Sequence, residues 1–434
     1  MPESHSPLGE WLAYLEQLHH WEMELGLDRV MVVYRRLLPR GLRGRTVIVG
    51  GTNGKGSTVH ALEQLLRQEA CHTGAYTSPH IHRFNERIRI DGQEVDDSTL
   101  CRAFVAVEHA RRNTPLTYFE FTTLAAFQVF QEAGVEFPLL EVGLGGRLDA
   151  VNIADPELAV ITCVDLDHTQ WLGEDRERIG FEKAGILRPG LSAIFGDPEP
   201  PESVVRQARA QGVALRIRGR DFGQEPEARG GMLFLEHQSQ PEYIPCQGQA
   251  PSPAQQVALQ GFRDLGFVVD ADRVRWLVQR TTLPGRFELV PGAPELVLDV
   301  GHNPHAATWL AERMTTLPRP RRVLAVYAAL ADKDVEGVVR ALKQTVDDWL
   351  LAGLDCGRGL SGEQLGERLT GVLTPSEREI HPDVATALQR TLALAEPDDR
   401  VLVFGSFHTV ANAAPVLRAR RAGAESGNGL HSRH

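Results

Sequence analysis

Val47-Ile48-Val49-Gly50-Gly51-Thr52-Asn53-Gly54-Lys55-Gly56-Ser57 is the stretch on which the fold turns. A short β-branched run ends in a glycine-rich turn, and helical spacing follows, with Val59, Leu62, Leu65 and Leu66 on one face. Strand, glycine loop and helix in that order make the setting of a phosphate site. Glycines let backbone N–H groups approach the phosphates, the helix N-terminus adds partial positive charge, Lys55 neutralises oxygens, and Ser57 can reach a magnesium ion. The spacing departs from the commonest phosphate-loop pattern, because Gly56 separates the lysine from the serine. A glycine-rich turn with a solvated lysine would share the composition but not the flanking strand and helix.

Outward from this loop, apolar runs such as Leu139-Leu140-Glu141-Val142 and Leu158 to Cys163 alternate with amphipathic stretches, which predicts a parallel sheet flanked by helices. Upstream, Trp11, Leu12, Leu15 and Leu18 share one helical face. Gly219 to Pro253 is rich in Gly, Gln, Pro and charge and reads as loops or a small antiparallel excursion. A chain of 434 residues exceeds what one core usually fills. The Leu283-Pro284-Gly285-Arg286 turn, followed by a fresh strand at Leu296-Val297-Leu298, marks the linker. The expected architecture is α/β: a phosphate-loop domain over 1–285, a smaller Rossmann-like α/β domain over 286–421, and a disordered tail over 422–434.

A net charge of −11, with both signs interspersed, argues against a nucleic-acid partner held by a basic face. The N-terminus lacks a basic-then-apolar leader, and no apolar run approaches a membrane span, so a cytoplasmic protein is expected. Five cysteines without CxxC spacing suggest neither disulfides nor a zinc site, and read as small buried hydrophobes.

Polar residues recur where open α/β sheets put ligands: Thr77-Ser78-Pro79-His80, Glu141 to Asp149, and Asp165-Leu166-Asp167-His168. Glu141 interrupts an apolar strand, and a carboxylate there needs a cation or hydrogen bonds. Beside a phosphate loop it reads as a magnesium ligand, direct or through water, against the alternative of a satisfied core acid. His168 is a second candidate ligand or a loop hydrogen-bonder.

The blocks Gly51 to Ser57, Ser78-Pro79-His80 with Phe84 to Ile88, Glu141 to Asn152, Asp167-His168, Glu182 to Ile186, Leu283 to Phe287, Asp299 to His305, Asp332-Lys333-Asp334 and Gly405 to Thr409 resemble, in order, the folylpolyglutamate synthase family of the Mur ligase superfamily. The resemblance runs from about Leu8 to Arg420. It implies a Mur-ligase-like fold and an ATP-dependent ligase, bifunctional in bacteria, that adds L-glutamate to 7,8-dihydropteroate and to reduced folates through an acyl phosphate. A polyglutamate synthase without the first activity, or a Mur-type peptide ligase, would share most of these residues.

By position, the resemblance implies that Gly54, Lys55, Gly56 and Ser57, with Arg286 and Asp299, contact ATP. Ser78, Glu141 and His168 would hold magnesium, and Lys183 would be a carbamylated lysine supporting a second ion; an ordinary helix lysine is the alternative. Lys55, Lys183 and His168 would serve the chemistry. The pterin would lie against Glu24-Leu25-Gly26-Leu27 and Thr117-Tyr118-Phe119-Glu120, although that aromatic pair reads equally as core. Asp149 completes the substrate set, while His302 and Ser406 would hold the incoming glutamate. A monomer is expected. Pro253-Ala254-Gln255-Gln256-Val257-Ala258 stands where relatives carry an Asn-Ala-Ala-Thr-Ala-like nucleotide segment, so Gln255 or Gln256 is the candidate replacement amide, or that contact is absent.

Overall fold

A computed structural model describes residues 2–3, 5–18, 24–225, 231–238, 240–246, 250–280 and 283–428. The chain forms two compact units, 1–281 and 282–434.

The first unit is built on an eight-stranded sheet of β1 (Val47–Gly50), β2 (Thr73–Tyr76), β3 (Ile88–Ile90), β4 (Gln93–Glu94), β5 (Phe137–Glu141), β6 (Leu158–Ile161), β7 (Ser192–Phe195) and β8 (Ala214–Ile217). Its order is β4-β3-β2-β5-β1-β6-β7-β8, parallel except where β3 pairs with β2 and β4. Central strands are buried on both faces, as a parallel sheet between helices requires, and so they read as unbroken apolar runs. The phosphate-loop strand β1 lies between β5 and β6, with Val49 opposite Glu141 and Gly50 opposite Ile161. The helix Lys55–Gln68 turns Val59, Leu62, Leu65 and Leu66 into the core on one face of the sheet. The helices Leu8–Glu16, Asp97–Arg111 and Tyr118–Ala133 pack on the other, where Trp11 is fully buried.

The Gly219–Pro253 stretch contains an antiparallel sheet of β9 (Gly223–Gln224), β10 (Met232–His237) and β11 (Gln240–Pro245). The second unit carries β12 (Glu288–Val290), β13 (Glu295–Asp299), β14 (Val323–Tyr327), β15 (Asp348–Ala352), β16 (Arg378–His381) and β17 (Arg400–Phe404), in the order β12-β13-β17-β14-β15-β16. All its pairs are parallel except β12 with β13.

Two expectations are corrected. The last helix runs Phe407–Asn428, so helix stands over 422–428 where disorder was expected, as a continuation of the helix already established upstream. Residues 429–434 lie outside the described set. Of the cysteines, only Cys101 and Cys163 are buried, while Cys71, Cys246 and Cys356 are half-buried. No helix among the described residues is long and apolar enough to cross a membrane.

Candidate active site

Because β2, β5, β1 and β6 are neighbours and run parallel, the loops leaving their C-terminal ends share one edge of the sheet. Those loops hold Gly51 to Gly54, Thr77 to His80, Val142 to Asp149 and Thr162 to His168.

The phosphate loop is set by close packing. Gly51 takes φ +141°, and a Cβ there would lie 1.8 Å from Thr162 Oγ1, so only glycine fits. Gly54 is left-handed, at φ +82°, and leads into the helix that begins at Lys55. Thr162 Oγ1 donates to Asn53 O at 2.5 Å, and Thr52 N donates to Cys163 O at 2.9 Å, which pins the loop to the end of β6. The Lys55 ammonium reaches back to Gly51 O and Thr52 O, both at 3.1 Å, a position that phosphate oxygens would compete for. Gly56 leaves room for the neighbouring strand's acid, since a Cβ there would stand 3.4 Å from Glu141 Oε2.

Glu141, at the end of β5, is buried and accepts from Ser78 N at 3.0 Å. His168 starts a short helix with left-handed backbone, φ 51°, and its N–H donates to Asp167 Oδ1 at 2.9 Å. Such strain in a non-glycine residue persists only when the surroundings impose it. Asp149 is buried and caps a 3-10 turn, accepting from Leu144 N and Val151 N. Burial lifts its carboxyl to about 6, although the backbone donors and Lys55 oppose the rise. Lys183 sits near the end of the helix Arg176–Ala184, 3% exposed. Its ammonium is pushed down to about 7, first by burial and then by the charge of Lys55, against the pull of Cys163, Asp167 and Asp149. A solvated helix lysine is thereby replaced by a buried one.

Of the substrate candidates, Thr117 and Glu120 form a reciprocal cap on the helix Tyr118–Ala133. Arg29 donates to Glu120 Oε2 at 2.8 Å and pairs with Glu24 Oε1 at 2.6 Å, joining the two segments. Leu25, Gly26 and Leu27 form the turn between Glu24 and the helix Asp28–Leu37 that carries Arg29. The Tyr118 ring lies under the Arg87 guanidinium, whereas Phe119 packs near Tyr76 and so tightly on Gly143 that a Cβ there would stand 2.6 Å from its ring.

In the second unit, Asp299 ends β13 and accepts from Phe287 N at 2.8 Å and Gly301 N at 2.6 Å. Burial raises its pKa, opposed by Arg286. Arg286 stacks on Phe407, 4.7 Å from the ring centre, and His302 Nδ1 lies 3.0 Å from Val300 O. Ser406 is buried, its Oγ taken up by Thr409 N and Thr409 Oγ1, so it caps the last helix. Gln255 and Gln256 are likewise engaged locally: Gln255 Nε2 donates to Leu277 O, and Gln256 Nε2 to Pro251 O.

Comparison with known proteins finds relatives over both units. Residues 49–195 match the Mur ligase middle domain, and residues 285–407 match the Mur ligase glutamate ligase domain. The dihydrofolate synthase/folylpolyglutamate synthase of Escherichia coli K12 is 43% identical over 422 residues, spanning 97% of this chain and 98% of its own length. The chain belongs to the dihydrofolate synthase/folylpolyglutamate synthase family. A solved structure of E. coli FolC in complex with DHPP and ADP superposes with a TM-score of 0.90 at 42% identity, covering 97% of this chain and all of that one. A bifunctional folylpolyglutamate synthase/dihydrofolate synthase with Mn, AMPPNP and L-glutamate bound gives a TM-score of 0.87 at 40% identity, covering 96% and 99%.

Among the described residues no group of three His, Cys, Asp or Glu side chains gathers as a metal cluster. The Glu141 carboxylate, buried and touched by the Ser78 amide, is the side chain the geometry puts at this edge as an oxygen donor of the kind a hard divalent ion takes alongside water and phosphate oxygens. Sequence reasoning missed Arg29 and Thr162. Arg29, between Asp28 and Val30, looks like any solvated helix charge, and nothing marked Thr162.

Proposed function

We propose that the chain joins L-glutamate to 7,8-dihydropteroate, forming dihydrofolate, and to reduced folates, forming folylpolyglutamates, with ATP as co-substrate. The observation that carries this reading is the shared edge at β2-β5-β1-β6, where the phosphate loop, the Ser78–Glu141 contact and buried Lys183 come together. Relatives bound to ADP and DHPP, or to AMPPNP and L-glutamate, support it.

In this reading the substrate carboxylate attacks the γ-phosphorus of ATP and ADP leaves. The glutamate amine then attacks the acyl carbon, loses a proton and expels phosphate, leaving an amide. Lys55 and the N–H groups of Gly54, Gly56 and Ser57 hold the phosphates in line. Ser78, Glu141 and His168 are the side chains that would hold magnesium, which when bound neutralises charge on the transferring phosphoryl group. Lys183, its ammonium pushed down to about 7 by burial, holds a large share of neutral amine near neutral pH; that amine would add to carbon dioxide, release a proton and become an anionic oxygen donor for a second ion. Arg29 sets Glu24 against Glu120 beside the pterin. In the second unit, Arg286 and Asp299 serve the nucleotide and His302 the incoming glutamate; Ser406 contributes by fixing the turn ahead of the last helix. We read the protein as a cytoplasmic monomer.

The test is incubation with ATP, magnesium and glutamate, offering dihydropteroate and a reduced folate separately, with ADP and product mass as readouts. Glutamate addition to both supports the reading, addition to reduced folate alone reduces it to a polyglutamate synthase, and addition to neither overturns it.

A further inference from the structure

A polar chain runs from the helix that follows the phosphate loop to the Ser78–Glu141 contact, and its inner members Glu63, Arg89 and Thr77 have none of the roles above. Glu63, two turns into the helix that begins at Lys55, is fully buried. Its Oε2 accepts from Arg89 Nε at 3.1 Å and Nη2 at 2.9 Å. The third nitrogen of that guanidinium, Nη1, donates to Thr77 Oγ1 and to Glu86 O, both at 3.2 Å. Thr77 N in turn donates to Arg87 O at 2.9 Å, and the next amide, Ser78 N, donates to Glu141 Oε2 at 3.0 Å. The far side of the same loop is held by Glu86, whose carboxylate accepts from three successive amides, Ile81, His82 and Arg83, at 2.7, 2.7 and 2.8 Å.

An ion pair between a fully buried Glu63 and a largely covered Arg89 costs desolvation and adds little net stability. What it adds is direction: a planar guanidinium with two nitrogens on Glu63 has its third aimed by geometry. That third nitrogen holds the residue before Ser78. A shift of the helix that carries the phosphate loop is therefore passed to the loop that meets Glu141.

We propose that Arg89 is a positioning residue for the ligase reaction, which keeps Ser78 in register with the phosphate loop by holding Thr77 from Glu63. The proposal rests on the reading of Ser78 and Glu141 as metal-holding side chains. It predicts an effect on metal affinity, since partners behind metal ligands commonly alter affinity about 10–100-fold.

The measurement is Mn2+ binding, followed by the loss of the free-ion electron paramagnetic resonance signal, with the full chain and a non-hydrolysable ATP analogue. Arg89→Gln is expected to weaken Mn2+ about tenfold and to raise the metal concentration giving half-maximal activity, with kcat at saturating metal changing far less. Because Arg89→Gln leaves a buried carboxylate without its cation and can fail to fold, Thr77→Val provides a second arm. It keeps the ion pair, removes only the hydroxyl, and is expected to shift metal affinity in the same direction with the melting temperature held. Wild-type Mn2+ affinity in both variants, or in Thr77→Val alone if Arg89→Gln does not fold, overturns the proposal. Glu141→Gln separates the two levels: if it too binds Mn2+ like the wild type, the metal reading of Ser78 and Glu141 falls and takes the brace with it.

Discussion

Arg29 Nε donates to Glu120 Oε2 at 2.8 Å, across 91 positions of sequence. The Glu120 side chain is only 5% exposed, so Arg29 is the cation that makes its burial tolerable, and the same guanidinium reaches Glu24.

Replacing it by Arg29→Met should therefore cost stability as well as substrate binding. A loss near 3 kcal/mol, the lower end for breaking a buried pair because Arg29 keeps some exposure, is expected in urea unfolding. The KM for dihydropteroate should rise more than that for ATP, and equal changes in both would remove Arg29 from the pterin side.

At Gly51 the prediction is steric. Gly51→Ala drives a methyl into Thr162 Oγ1 and demands a φ that alanine avoids. Strain of about 1–3 kcal/mol placed on the loop corresponds to a roughly tenfold to hundredfold loss of nucleotide affinity. Calorimetric titration with ADP measures it, and an unchanged dissociation constant would show that the loop relaxes freely.

Lys183 is predicted to take up carbon dioxide. Labelled bicarbonate should give a carbamate carbon signal in the wild type and none in Lys183→Arg. Buffers stripped of bicarbonate should lower activity of the wild type only. A wild-type spectrum without the signal refutes the modification.

His60 supplies a pH dependence with a definite sign. Burial, then the charges of Arg89 and Arg67, depress its pKa from 6.5 to about 4. The unfolded chain thus binds a proton that the folded chain refuses, so stability held above pH 6.5 is lost as pH falls toward 4. The loss amounts to at most about 3 kcal/mol. Denaturant melts across that window should be steeper in pH for the wild type than for His60→Leu; parallel curves would contradict the assignment.

What the sequence disclosed and what it hid divide along physical lines. The phosphate loop was legible because one contiguous run holds strand, glycines and helix start. Glu141 stood out because a carboxylate breaks an apolar strand. Arg29 and Glu63 did not, since charged residues on helices are usually solvated and nothing local marks a partner 91 or 26 positions away. Ser406 shows another limit of sequence: a serine after a strand reads as a ligand donor, and nothing local tells that its hydroxyl also accepts from Thr409 N at the start of the last helix.

The order β2-β5-β1-β6 also bears on how the protein is made. The phosphate-loop strand emerges early from the ribosome, but both of its neighbours are synthesised much later, β6 ending only at Ile161. Until then the loop lacks Thr162 and the wall that shapes it. Pairings between distant segments form slowly. The nascent chain therefore carries an unfinished sheet from Gly50 to Ile161, and fragments that stop before Leu158 should depend on chaperones and show no affinity for nucleotide.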